Sequence, residues 1–184
     1  MISSLASAAA WRLRCLLAAQ SAERSSRAVL STNPLRRLLV VCYGNIYRSP
    51  YVAGLLRARL GGMCEVRSSG FHPVSGRRSP AEVVAIGAAC AIELSGHRSA
   101  RISADDLAWA DAIILMDRHN WQALRKLAAD PHKLIWLGSF DGGGEIPDPY
   151  GLSQPEVREA MQRVHRCAEA LVRAIRARRA SAAA

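Results

Sequence analysis

Cys42 is separated by five residues from the pair Arg48-Ser49, a spacing of residue types suited to attack on phosphorus. A thiolate is a strong nucleophile, and a guanidinium presents a planar fork of donors matched to two phosphoryl oxygens. Serine adds a hydroxyl that can donate to the sulfur. These groups become a site only if the chain between them folds back, so the flanking elements matter. Leu38-Leu39-Val40-Val41 is a short apolar run that reads as a buried strand ending at Cys42. Tyr43-Gly44-Asn45-Ile46-Tyr47 follows as a tight loop, and after Pro50 the run Tyr51 to Leu60 places apolar residues at helical spacing. Strand, loop and helix put Cys42 and Arg48 at a helix N-terminus. There, unpaired N–H groups and the positive dipole end seat an oxyanion and favour an anionic sulfur. Gly44 and Asn45 suit the unusual backbone angles that a loop with inward-facing amides needs.

Further strands are expected at 64–68, 112–116 and 133–137, and further helices at about 80–93, 103–109, 118–129 and 153–178. Gly61-Gly62 stops the first helix, Pro80 opens the second, and Asp117 N-caps the helix that follows the third strand. Strands alternating with helices give a three-layer α/β/α fold with a four-stranded parallel sheet. Ligand loops lie at the C-terminal ends of such strands. On the last helix Val157, Met161, Val164, Ala168, Leu171, Val172 and Ile175 share one face. Residues 35–178 are expected to form one domain. Residues 1–34, rich in Ala, Ser and Arg, are expected to stand outside it, as a disordered extension, the product of an upstream start codon, or a transit-like segment. Residues 179–184 are expected to be a disordered tail.

The string Cys42-x-Gly44-Asn45-Ile46-x-Arg48-Ser49-Pro50 resembles the phosphate loop of the low-molecular-weight protein tyrosine phosphatases. About a hundred residues later, Asp148-Pro149-Tyr150 resembles that family's second motif, and two motifs in order are far more specific than either alone. The resemblance implies metal-independent hydrolysis of phosphotyrosine in proteins. Cys42 would be the nucleophile, Asp148 the general acid, and Arg48 with the amides of Tyr43 to Ser49 the phosphate seat. It also implies that Ser49 donates to the sulfur, that Ser69-Gly70 supports the loop and His97 braces its Asn45, and that Tyr43, Ile46 and Tyr150 wall the cleft. The related arginine phosphatases carry threonine where this chain has Ile46. Many family members carry a second cysteine at the position of Tyr47, so peroxide oxidation of Cys42 is expected to lack rescue by a local disulfide.

Half the residues are hydrophobic and 22% charged, as in globular proteins, and no apolar run is long enough to span a membrane. The five scattered cysteines show no CxxC pair, which suggests neither a disulfide framework nor a zinc site. A reducing, cytoplasmic setting is expected. The net charge of +10 is concentrated toward the ends, with six arginines against Glu23 in residues 1–37. Nothing in the chain interleaves aromatic and basic residues as a nucleic-acid platform does. The expected partner is a phosphotyrosine protein, a tyrosine kinase being one candidate, with no cofactor, nucleic acid or membrane and the chain acting as a monomer. Two rivals remain. An arsenate reductase on this scaffold needs a cysteine relay, for which only Cys64, Cys90 and Cys167 are available. A non-catalytic phosphotyrosine binder predicts loss of Cys42, Arg48 or Asp148.

Overall fold

The apolar runs form one parallel sheet of β1 (Arg37–Cys42), β2 (Glu65–Gly70), β3 (Ala112–Leu115) and β4 (Leu134–Trp136), ordered β2-β1-β3-β4. This computed structural model describes residues 20–183. Helices α1 (20–32), α2 (Arg48–Leu60), α3 (Ala81–Ala89), α4 (Ala104–Trp109), α5 (Arg118–Lys126) and α6 (Gln154–Ala183) complete it. β1 is central and apolar on both faces. Leu38, Val40 and Cys42 enter the core shared with α2 and α6, while Leu39 and Val41 enter a second core with Ile113, Leu115 and Leu124. After β1 the chain pairs β2 on one side, then crosses to β3 and β4 on the other. The order therefore reverses at β1, and the crevice of such a sheet opens at that strand's C-terminal end, where Cys42 sits. All seven apolar residues assigned to the inner face of α6 are buried.

Two stretches expected outside the domain belong to it. Within 1–34, residues 20–32 form α1, which buries Ser26, Val29 and Leu30. Ser26 Oγ accepts the Trp136 N–H at 2.9 Å, capping a backbone donor of β4, and Asn33 Nδ2 donates to Asp111 O at 2.8 Å. Residues 1–19 lie outside the described residues. At the other end α6 runs on to Ala183, with Arg178 donating to Ser31 O at 3.2 Å and Arg179 to Met63 O at 2.7 Å. Ala184 lies outside the described residues. Alanine and arginine are strong helix formers as well as common in free ends, so composition alone does not separate the two states.

Two helices are shorter than expected. α3 ends at Ala89 and α5 at Lys126, each closed by an alanine in the left-handed region, Ala91 (φ 57°) and Ala128 (φ 54°). The N–H groups of Ile92 and Ala129 reach back to Gly87 O and Leu124 O, the closure usually built around glycine. No helix among the described residues is long and apolar enough to cross a membrane.

Candidate active site

The β1–α2 loop wraps around the Cys42 sulfur. Asn45 N–H points at Sγ from 3.3 Å and Ser49 Oγ lies 3.0 Å away. The Ala100 N–H donates to Asn45 Oδ1 at 2.8 Å, which turns Asn45 Nδ2 toward Ser49 Oγ, also at 2.8 Å. Ser49 Oγ thus accepts from the amide and keeps its own proton for the sulfur, the direction that suits a thiolate. Asn45 takes φ 51°, the left-handed conformation its type tolerates. Gly44 differs from expectation: it lies outside the left-handed region, and only side chains stand near the place of a Cβ. A Cβ there would stand 3.3 Å from Ile46 and 3.5 Å from Arg77.

The loop is braced from below by β2 and the segment after α3. Gly70 lies opposite Cys42 in register, and a Cβ on it would fall 2.7 Å from Tyr43 O and 2.9 Å from Cys42 O. The N–H groups of Phe71 and His72 both donate to Tyr43 O. A His97 ring nitrogen sits 2.8 Å from Asn45 O, so it is the Nε2–H tautomer that bonds there. Burial holds His97 below its ordinary 6.5; the Asn45 bond opposes this, and Arg57 and Arg98 add to it. Ser69 is buried, but its hydroxyl has no hydrogen-bond partner among the described residues, so the support from this pair comes through Gly70.

α2 begins without a side-chain cap at Tyr47 and without an acid in its first turn, whereas Ser103 caps α4 and Asp117 caps α5. Its first N–H groups are therefore open to an anion. Arg48, in that first turn, is fully buried. Nη1 donates to Asp117 Oδ2 at 2.6 Å and to Ile146 O at 2.8 Å. Nη2 lies 2.7 Å from Asp148 Oδ2, an ion pair off the line of a hydrogen bond, so Nε and Nη2 have no hydrogen-bond partner among the described residues. Burial works against the Arg48 charge, but Cys42, Asp148 and Asp117 outweigh it and hold the guanidinium above its ordinary value. Asp117 also caps α5 at Asn120 N–H, joining strand end, helix and arginine.

Asp148 arrives on a loop that α6 holds in place. Gly142, Gly143 and Gly144 all have φ near 75°, which lets the chain turn tightly enough for Arg163 to donate to Gly143 O and Glu145 O. Arg166 pairs with Asp141 at 2.9 Å, and Ile146 N–H donates to Met116 O.

Cys42, Tyr43, Gly44, Ile46 and Asp148 line one cleft of about 180 Å³, with Tyr47, Tyr150, His72 and Arg77. The structure thus brings Cys42 and Asp148 to one cleft, and Arg48, fully buried, joins them through its ion pair with Asp148. Sequence reasoning misses three of the cleft's walls. Tyr47 donates to Glu82 Oε1 at 2.9 Å and meets Tyr150 edge to face, and burial together with that bond pushes its phenol up to about 12. His72 packs against Tyr43, and Arg77 donates to Gly44 O at 2.5 Å. The polar stretch 71–80 is legible as a loop; its fold back over Gly44 depends on Ser99, whose N–H and Oγ both bond Arg77 backbone. Among the described residues no three His, Cys, Asp or Glu side chains are grouped as metal ligands.

Residues 37–181 match the family described as low molecular weight phosphotyrosine protein phosphatase. The probable low molecular weight protein-tyrosine-phosphatase EpsP of Ralstonia nicotianae is 33% identical over 144 residues, covering 78% of this chain and 98% of that protein. Vibrio vulnificus Wzb in complex with benzylphosphonate superposes with a TM-score of 0.70 at 26% identity, covering 76% of this chain and 98% of that one. The YwlE arginine phosphatase of Geobacillus stearothermophilus gives 0.72 at 25% identity, covering 79% and 96%.

Proposed function

The chain belongs to the low molecular weight phosphotyrosine protein phosphatase family, and from that premise we propose that it hydrolyses phosphotyrosine in proteins through a cysteinyl-phosphate. One observation carries the reading: at the uncapped start of α2, close to Cys42, the buried Arg48 keeps Nε without a hydrogen-bond partner and holds Nη2 against the Asp148 carboxylate, in the place a phosphoryl oxygen would take. A phosphoryl group supplies the oxygens those donors need. Cys42 sulfur attacks phosphorus in line, the phosphorus–oxygen bond to the phenol breaks, and Asp148 gives its proton to the departing oxygen. Asp148 then takes a proton from water, whose oxygen attacks the phosphocysteine, releasing phosphate and the thiolate. Arg48 and the loop amides hold the equatorial oxygens throughout, and Ser49 donates to the sulfur as it leaves. Asp148 must first move off Arg48 Nη2 to admit the phosphate.

Tyr43, Tyr47 and Tyr150 suit an aryl phosphate, and Ile46 stands where the arginine phosphatases carry threonine. The arsenate-reductase relay is disfavoured. Cys64 precedes β2 at the end of the strands away from Cys42, Cys90 ends α3 packed against the core, and Cys167 is buried within α6. The test is turnover of p-nitrophenyl phosphate, a phosphotyrosine peptide and a phosphoarginine peptide by the full chain and by Cys42→Ser. Hydrolysis of the first two that needs Cys42 supports the reading. Preference for phosphoarginine, or arsenate-dependent thiol consumption, would replace it.

A further inference from the structure

One flank of the cleft is basic and unpaired. The loop bearing Arg77 and Arg78 is tied to the segment bearing Arg98 and Arg101: Ser99 N–H donates to Arg77 O at 2.8 Å, Gly76 N–H to Ser99 O at 2.7 Å, and Arg101 N–H to Ser75 Oγ at 3.1 Å. Neither 71–80 nor 94–101 contains an acid. Arg78, Arg98 and Arg101 are exposed. Among the described residues none of the four arginines lies within ion-pair distance of a carboxylate, whereas Arg37, Arg59 and Arg166 elsewhere all do. The acids that bracket these segments are engaged, Glu82 by Tyr47 OH and Glu93 by Ser95 N–H. Arg77 is held at the cleft itself, Nη2 on Gly44 O and Nε on Val74 O, with the rest of its donors uncommitted.

We propose that this flank selects substrates, taking phosphotyrosine sites whose neighbouring residues are acidic. Arg77 makes the contact nearest the cleft, and Arg78, Arg98 and Arg101 extend it outward. The inference rests on the phosphotyrosine reading above and names its substrate class. Exposed charges of this kind guide encounter and orientation, are weakened by salt, and are individually small, so the effect requires several together.

The full chain and an Arg78→Ser/Arg101→Ser double variant are compared on three phosphotyrosine peptides of equal length, flanked by acidic, uncharged or basic residues. Neither replaced side chain makes a hydrogen bond among the described residues, and the salt dependence of the unaltered protein is a second readout that needs no variant. The full chain is expected to show kcat/KM about tenfold higher on the acidic than on the uncharged peptide, mostly through KM, falling to about threefold in the double variant and in high salt. Equal kcat/KM on all three peptides, or an acid preference that survives both the double variant and salt, overturns the proposal. p-Nitrophenyl phosphate, which has no flanking residues, separates the two readings. Its hydrolysis without discrimination among peptides overturns the selecting flank alone. Its rejection, together with that of every peptide, overturns the phosphatase reading and the flank with it.

Discussion

Cys42 and Cys64 stand at opposite ends of the paired strands β1 and β2, both buried, in opposite surroundings. The two ends are about 20 Å apart at the rise of a parallel strand. Cys42 receives the Asn45 N–H, faces Ser49 Oγ and has the Arg48 charge close by. Cys64 instead donates its own S–H to Leu35 O at 3.1 Å. Burial pushes that thiol up, with Arg179 only partly opposing. Residue type and burial are shared; the donors differ, a backbone N–H and a hydroxyl close to Cys42 against one long contact from Arg179 Nη2, 3.8 Å, at Cys64. A cysteine becomes suited to attack where a loop and a helix start aim N–H and O–H groups at it, and stays an inert core thiol where a carbonyl meets it. The same division runs through the two ends of the strands. One holds the cleft, while the other is closed by Leu35 and the end of α6.

The sharpest way to break this contrast is to change each sulfur in turn. Cys42→Ser is expected to lower p-nitrophenyl phosphate turnover at least about 10³-fold, and Cys64→Ser to leave it within about twofold. Similar losses from both would erase the distinction. Within the cleft, Asp148→Asn is expected to cut kcat about 10²-fold yet bind inorganic phosphate more tightly, because no carboxylate then competes for Arg48 Nη2. Weaker phosphate binding by calorimetry would show that the carboxylate does not occupy the seat.

The opposite pole should respond in stability rather than chemistry. A chain starting at residue 35 loses the burial of Val29 and Leu30 and the cap on Trp136 N–H, and is expected to unfold in urea with about 3 kcal/mol less stability. Ser26→Ala alone should cost about 1–2 kcal/mol by orphaning that N–H. An unchanged urea midpoint would return α1 to the status of an appendage. The smallest effect is electrostatic and belongs to the cleft's brace. In the unfolded chain His97 titrates near 6.5, while in the fold burial keeps it neutral to lower pH. As pH falls through 6.5 the unfolded chain therefore binds the extra proton first. Stability declines, then levels once the folded imidazole protonates. His97→Gln should flatten that decline, and a pH profile of urea midpoints identical to that of the unaltered chain would remove His97 as its source.

Residues adjacent in sequence encode the legible part of the fold. The apolar run into Cys42, the turn residues after it and the amphipathic helix that follows define their own geometry, and the inner face of α6 follows from a period of 3.6. The Asp117 cap of α5 is readable for the same reason, since the side chain bonds an N–H three residues on. Helix ends are less so. Nothing local in Ala91 or Ala128 announces a left-handed residue, which alanine adopts at a cost of about 1–2 kcal/mol. At Ala91 the closure is held where Ile92 is buried against Gly54, whose missing side chain leaves the room.

The sequence by itself determined the strand–loop–helix around Cys42, the parallel sheet and the identity of the three residues proposed to do chemistry, because each rests on short-range patterning and residue type. Only the tertiary structure decided that α1 caps β4 and that the last turns of α6 close the end of the strands opposite the cleft. It alone also decided that Ala100 sets the direction of the Asn45–Ser49–Cys42 bonds, and that Arg77 folds onto the cleft. Those contacts join residues tens to more than a hundred positions apart, and no local propensity reports them; they form because backbone groups drawn away from water take the partner that packing brings within reach.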